Sequence, residues 1–239
     1  MKATLSTASK EKRLSFFDEL LSATQAERNH LNSTPIIQAA LLGRISRDQY
    51  VAFLTQAYHH VKHTVPLLMA CGSRLPDSHA WLREAIAEYI EEEIGHEQWI
   101  LDDIAACGAD PLQARRSPPS APTELMVAYA YHMIDRGNPM GFFGMVHVLE
   151  GTSTALATHA AASIQDSLQL PPAAFSYLTS HGSLDQSHVQ FFESLMNRVD
   201  DAADQQAVIH GARMIYKLYG DIFRALPGAS EVRTAGVFA

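Results

Sequence analysis

Tyr177-Leu-Thr-Ser-His181-Gly-Ser-Leu-Asp185-Gln-Ser-His188-Val-Gln-Phe-Phe192 sets two histidines and an aspartate at i, i+4 and i+7. On an α-helix, at about 100° per residue, these fall near 0°, about 40° and about −20°, a single stripe over two turns. Leu178, Leu184 and Phe192 share or flank the stripe, so the polar side chains are expected to point into a core. Buried polar groups without a partner are costly. Imidazole and carboxylate together suit a divalent transition metal such as Fe, Mn or Zn. The same residues on a solvated face would carry no chemistry, and the rest of the chain has to decide between the two.

Outward from this stretch the pattern is helical nearly throughout, with no alternating strand pattern and no internal repeat. Ser9 is placed to cap a helix to Asn29, with Phe16, Phe17, Leu20 and Leu21 as its apolar face. Ser33-Thr34-Pro35 opens a short helix that Gly43 closes. Ser46-Arg-Asp-Gln49 resembles a capping box, and its helix is expected to run to Cys71, kinked at Pro66, with Gly72 as C-cap. Asp77-Ser78 begins a long helix to Ala106, ended by Gly108. Asp110 to Pro122, rich in proline, reads as the one clear loop. Further helices follow at about 122–136, 139–165, 171–198 and 201–225, with a loose tail from Pro227. The expectation is one all-α domain over residues 1–239, a bundle of about seven or eight helices with a loop at about 108–121.

Two other places put carboxylates on apolar faces. Ile90-Glu91-Glu92-Glu93-Ile94-Gly95-His96 offers Glu93 and His96 at i, i+3 and Glu92 and His96 at i, i+4. Either pair can reach one metal, and Glu-x-x-His on bundle helices is the ligand pattern of di-iron carboxylate sites. The choice between Glu92 and Glu93 stays open, with the i, i+3 spacing favouring Glu93. Gly144-Met145-Val146-His147-Val148-Leu149-Glu150-Gly151 sets one Glu in an apolar helix, where a buried charge demands compensation. His147, one turn back, reads as a core or supporting histidine. Three helices thus offer three carboxylates and three imidazoles, a mixed N/O set that two iron ions can share.

Bulk composition narrows the classes. Of 239 residues, 47% are hydrophobic and 18% charged, enough for a sizeable core. Net charge is −8 with no basic run, which argues against nucleic-acid binding. Cys71 and Cys107 form no Cys-x-x-Cys motif and fit a reducing cytoplasm. Neither a signal peptide nor a bilayer-spanning run is read in the sequence, so no membrane partner is expected.

At these motifs the chain resembles the haem-oxygenase-like di-metal oxidases, relatives of the TenA thiaminase II proteins. The resemblance runs from about Gln25 to Ala225. It rests on Glu92-Glu93-Ile94-Gly95 with His96, on the lone Glu150, and on His181, Asp185 and His188, in the family's order and separations. Leu218-Tyr219-Gly220 is a further local likeness. The resemblance implies a seven-helix haem-oxygenase-like (TenA-like) fold, a centre of two Fe ions or Fe/Mn held by those six positions, and O2 as co-substrate. It also implies oxidation of a small amino-acid- or fatty-acid-like substrate, with an external electron donor and a homodimer as candidate partners. A tyrosine that one branch of the family consumes in its own reaction has no counterpart in Thr34-Pro35-Ile36-Ile37-Gln38. Some relatives take an extra acid from the preceding helix, where this chain has Tyr58-His59-His60-Val61-Lys62-His63.

Three other readings make different demands. A thiaminase-type hydrolase needs a nucleophilic cysteine in the pocket, and Cys71 and Cys107 lie beside helix-ending glycines. A haem oxygenase needs a proximal ligand such as His30. A non-catalytic binder would have no reason to keep acids inside. An apolar pocket lined partly by Phe142, Phe143, Met145 and Phe175 is expected.

Overall fold

The computed structural model describes residues 14–229, and of residues 181–188 the backbone alone. Twelve α-helices and three short 3-10 segments, with no strand, make up the described residues. The chain starts with α1 (Phe16–Ala23), α2 (Gln25–Asn32) and α3 (Pro35–Leu41). Ser15 caps α1 by accepting from Asp18 N; the expected cap at Ser9 lies outside the described residues. The single helix expected here is broken at Thr24, whose hydroxyl donates to Leu20 O at 2.8 Å and competes with the helical ladder.

Ser46 and Gln49 form the expected capping box at the start of α4 (Arg47–Val61). The helix then stops, and α5 (Thr64–Arg74) begins afresh. Pro66 explains the break. It has no N–H, and its ring would strike the carbonyl four residues back. Interrupting the ladder at Lys62-His63 leaves it in a first turn, where proline is tolerated. Gly72 lies inside α5 and does not cap it.

The long helix expected from Asp77 is also two. A 3-10 turn (Asp77–His79) leads into α6 (Ala80–Glu93), and α7 (His96–Ala106) follows after Gly95 at φ 95°. Only glycine takes that left-handed conformation without strain. The expected proline-rich loop contains a further helix, α8 (Pro111–Arg116), because Asp110 Oδ1 caps it by accepting from Leu112 N at 2.8 Å and Pro111 fits its first turn. Then come α9 (Ala121–Arg136), α10 (Phe142–Leu168), α11 (Ser176–Met196) and α12 (Ala202–Arg224). The count exceeds the seven or eight expected because three long helices are each split in two and α8 is added in the expected loop.

The longest helix, α10, packs along both α11 and α12. Glycines at the crossing let backbones touch: a Cβ on Gly144 would run into the backbone of Val208 and Ala212, and one on Gly211 into Gly141. The first half of α10, including Phe142, Phe143, Met145 and Val148, belongs to one apolar cluster with α1, α5, α6, α9 and α12. Its second half, with Ala157, Ala161 and Ile164, belongs to another with α3, α4 and α7. Between them residues 149–154 are only half-buried. Thr152, Ser153 and Thr154 there return their hydroxyls to Val148, Leu149 and Glu150 carbonyls of their own helix. Among the described residues no helix is long and apolar enough to cross a membrane.

Candidate metal centre and its cavity

Beside this half-buried stretch of α10 lies a cavity of about 730 Å³, counting its mouth. Glu93 from α6 and Glu150 from α10 both line it, with His60 from α4, Tyr89, Tyr177 and Tyr219. Thr64, Leu67, Leu68, Phe142, Met145 and Val146 supply most of the remaining wall. Ligand sites commonly set a few polar groups in such apolar surroundings.

Glu93 and His96 meet, though not as neighbours on one helical face. Glu93 ends α6, His96 begins α7, and the turn at Gly95 brings His96 Nδ1 to 3.0 Å from Glu93 Oε2. The side chains are 15% and 4% exposed, so the pair is screened from water. The His96 ring stacks on Trp99 at 4.1 Å. Glu92, the other candidate, is exposed and does not line the cavity. Continuous helix would have left the two glutamates equivalent in reach; the break separates them.

Tyr89 stands within the field of these acids. Its phenol is pushed far above its ordinary range, first by burial and then by the negative charges of Glu150, Glu92, Glu88 and Glu93. His60 is buried and lies edge-on to the Tyr219 ring at 5.8 Å. His59 and His63 have other surroundings. His59 Nε2 contacts Ser117 Oγ at 3.1 Å, and His63 Nδ1 contacts the Tyr131 hydroxyl at 3.3 Å. Burial is the main reason both imidazoles titrate below the usual histidine range.

The third motif sits on α11, whose backbone spans positions 181, 185 and 188. The side chains of His181, Asp185 and His188 lie outside the described residues. The start of α11 is fixed by a buried carboxylate. Asp103 of α7 is fully buried and accepts from Ser176 N at 3.0 Å, Tyr177 N at 2.9 Å and the Ser176 hydroxyl. Burial lifts its carboxyl above the usual range, while these donors pull the other way. Nothing in the sequence marked Asp103, because its partners are some seventy residues away.

Among the described residues no group of three His, Cys, Asp or Glu stands ready to hold a metal. What the described part contributes is the Glu93–His96 pair with Glu150 across one cavity. Carboxylates and imidazole are donor types that iron accepts, and the donors of α11 would have to complete any such set.

A family model described as "Iron-containing redox enzyme" matches residues 51–220. The chain belongs to that family. The match takes in Glu93, His96 and Glu150 as well as α11. No curated protein matches the sequence. Solved structures place this member of the iron-containing redox enzymes in the haem-oxygenase-like, TenA-like fold. A domain of unknown function from Shewanella denitrificans superposes with TM-score 0.82 at 22% identity, covering 95% of this chain and 100% of that one. A TenA homologue from Pseudomonas syringae gives 0.74 at 8% identity, covering 94% and 97%. Haem oxygenase-1 from Synechocystis, solved with haem, gives 0.72 at 12% identity, covering 93% and 96%.

Other expected site features are sorted by burial. Phe142 and Met145 line the cavity, whereas Phe143 and Phe175 are packed solid in the two apolar clusters. His147 is surrounded by the Phe17, Phe192 and Tyr216 rings, as a core histidine would be. Cys71 and Cys107 line neither this cavity nor the one adjoining it, and burial pushes their thiols up to about 12 and about 11. Such thiols are poor nucleophiles. His30 is exposed on α2.

Proposed function

We propose that the protein is a non-haem di-iron, or Fe/Mn, oxidase or oxygenase that uses O2 to oxidise a small organic substrate. The observation carrying this reading is the cavity that Glu93 and Glu150 border from separate helices, with His96 paired to Glu93 behind it. Glu93, His96, Glu150, His181, Asp185 and His188 would hold the ions, with Glu92 outside the set. Bound iron would supply the one-electron chemistry and O2 activation that protein side chains lack. The chain's own contribution is to hold the donors and to surround the substrate with Leu67, Leu68, Phe142 and Met145, so that bulk water is excluded. His60, Tyr177 and Tyr219 would place the reacting end of the substrate.

Anaerobic Fe(II) titration followed by elemental analysis tests this. The unmodified protein is expected to retain two equivalents and to consume O2 only when loaded. Glu93→Ala, Glu150→Ala and His188→Ala should each lose at least one equivalent, whereas Glu92→Ala and Cys71→Ala should keep both. A Soret band on adding haem, with no Fe(II) retained, would instead identify a haem protein.

A further inference from the structure

At the opposite end of α6 from Glu93, a serine, a histidine and an aspartate meet in series. Fourteen residues of α6 lie between, about 20 Å of helix. Neither the cavity of the proposed centre nor the apolar one adjoining it, of about 790 Å³ counting its mouth, has these three residues in its wall.

The 3-10 turn Asp77–His79 presents Ser78 and His79 side by side. Ser78 Oγ lies 2.9 Å from His79 Nδ1, and His79 Nε2 lies 2.9 Å from Asp204 Oδ2. A carboxylate only accepts, so Nε2 carries the ring proton and donates it. The Nδ1 lone pair is left facing the Ser78 hydroxyl, which donates to it. Asp204 is held in turn: its Oδ1 accepts from Asn138 Nδ2 at 2.7 Å, and Asn138 Oδ1 accepts from Met140 N at 3.0 Å. It also sits in the first turn of α12, where negative charge is favoured.

The His79 and Asp204 side chains are 16% and 13% exposed, whereas Ser78 is exposed. A screened acid thus backs a screened imidazole, and the imidazole backs an accessible hydroxyl. Tying the turn to α12 needs only the contact between His79 and Asp204. The contact between Ser78 and His79 joins chain neighbours and ties no two elements together.

We infer that Ser78, His79 and Asp204 form a second site, independent of the proposed iron centre, that cleaves small activated esters by acyl transfer. Ser78 Oγ bonds to the ester carbonyl carbon while its proton passes to His79 Nδ1. The bond from that carbon to the leaving oxygen then breaks, and His79 returns the proton to the departing alcohol or phenol. Water adds to the acyl-serine by the same two steps and releases the carboxylic acid, with no change in oxidation state. Asp204 fixes the imidazole tautomer and offsets the positive charge that His79 carries in between. Such a relay is defined by its roles, so it is served equally well with Nδ1 towards the nucleophile and Nε2 towards the acid. Because the hydroxyl opens directly to solvent, the site selects esters by how readily the leaving group departs. Aryl acetates are the fitting class.

Labelling of the iron-free protein with a fluorophosphonate, read by intact and peptide mass, together with hydrolysis of p-nitrophenyl acetate, tests this. One adduct per chain is expected, on Ser78. Ser78→Ala should lose the adduct. Gln at position 79 can still donate to Asp204 but cannot take the serine proton, so His79→Gln should slow labelling and hydrolysis by about tenfold or more without lowering the melting temperature. Exposed Ser73, whose hydroxyl donates to Ala70 O at 2.8 Å, is an internal control needing no variant. Ser78 should label about tenfold or more faster than Ser73 in the unmodified protein. Equal labelling of the two serines, no adduct at Ser78, or a cooperatively melting His79→Gln that labels within about twofold of the unmodified protein overturns the inference.

Discussion

His147 stands three residues before Glu150, yet among the described residues its ring neighbours are aromatic. Its ring lies 6.3 Å from Phe17, 5.9 Å from Phe192 and 6.2 Å from Tyr216, and none of these lines either cavity. Burial, and then the positive charge of Arg28, pulls its pKa from 6.5 down to about 4. As pH falls, the unfolded chain takes up a proton here before the folded one does. The stabilisation from keeping this imidazole neutral is therefore complete above about pH 6.5 and is lost towards about pH 4, a loss of about 3 kcal/mol. Chemical denaturation of iron-free protein across this range should show the decline, and His147→Phe should flatten it. Glu150 was legible as a residue because one acid interrupts an apolar run. His60 was not: successive helical residues differ by about 100°, and which of His59, His60 and His63 reaches a cavity depends on how α4 is seated.

Elements were legible where caps and prolines mark them and obscure where apolar periodicity runs through a break. The Ser46–Gln49 box begins α4 as read, and Gly108 follows the end of α7. Gly95 gave no such notice, since Tyr89, Glu93, His96 and Ile100 keep helical spacing across it. Two glycines make the difference measurable. A Cβ at Gly95 or at Gly151 would meet nothing within 4 Å. At Gly95 the backbone is left-handed, so Gly95→Ala is expected to cost about 1–2 kcal/mol and to weaken iron binding by disturbing the Glu93–His96 turn. Gly151 lies inside α10, where alanine is the better helix former, so Gly151→Ala should stabilise by up to about 1 kcal/mol. Thermal melts of the pair should shift in opposite directions.

At the scale of the whole molecule, the all-α class and the haem-oxygenase-like frame were readable from periodicity and motif order. The closeness of α10 to α12 was not, because it depends on backbone meeting backbone at Gly144. Gly144→Ala finds no room there, and overpacking of this kind costs about 1–3 kcal/mol or more. It should lower the melting temperature further than Gly95→Ala, and loosen both cavities, since α10 walls each of them.

One helix touches both halves of the proposed centre. His96 is the first residue of α7, and two turns later Asp103 of the same helix grips the foot of α11 through Ser176 and Tyr177. A slide or tilt of α7 therefore carries an imidazole and the base of the histidine-bearing helix in the same direction. Thermal breathing of the bundle then leaves the spacing between them nearly constant, as the jaws of a calliper keep their setting when the whole tool is moved.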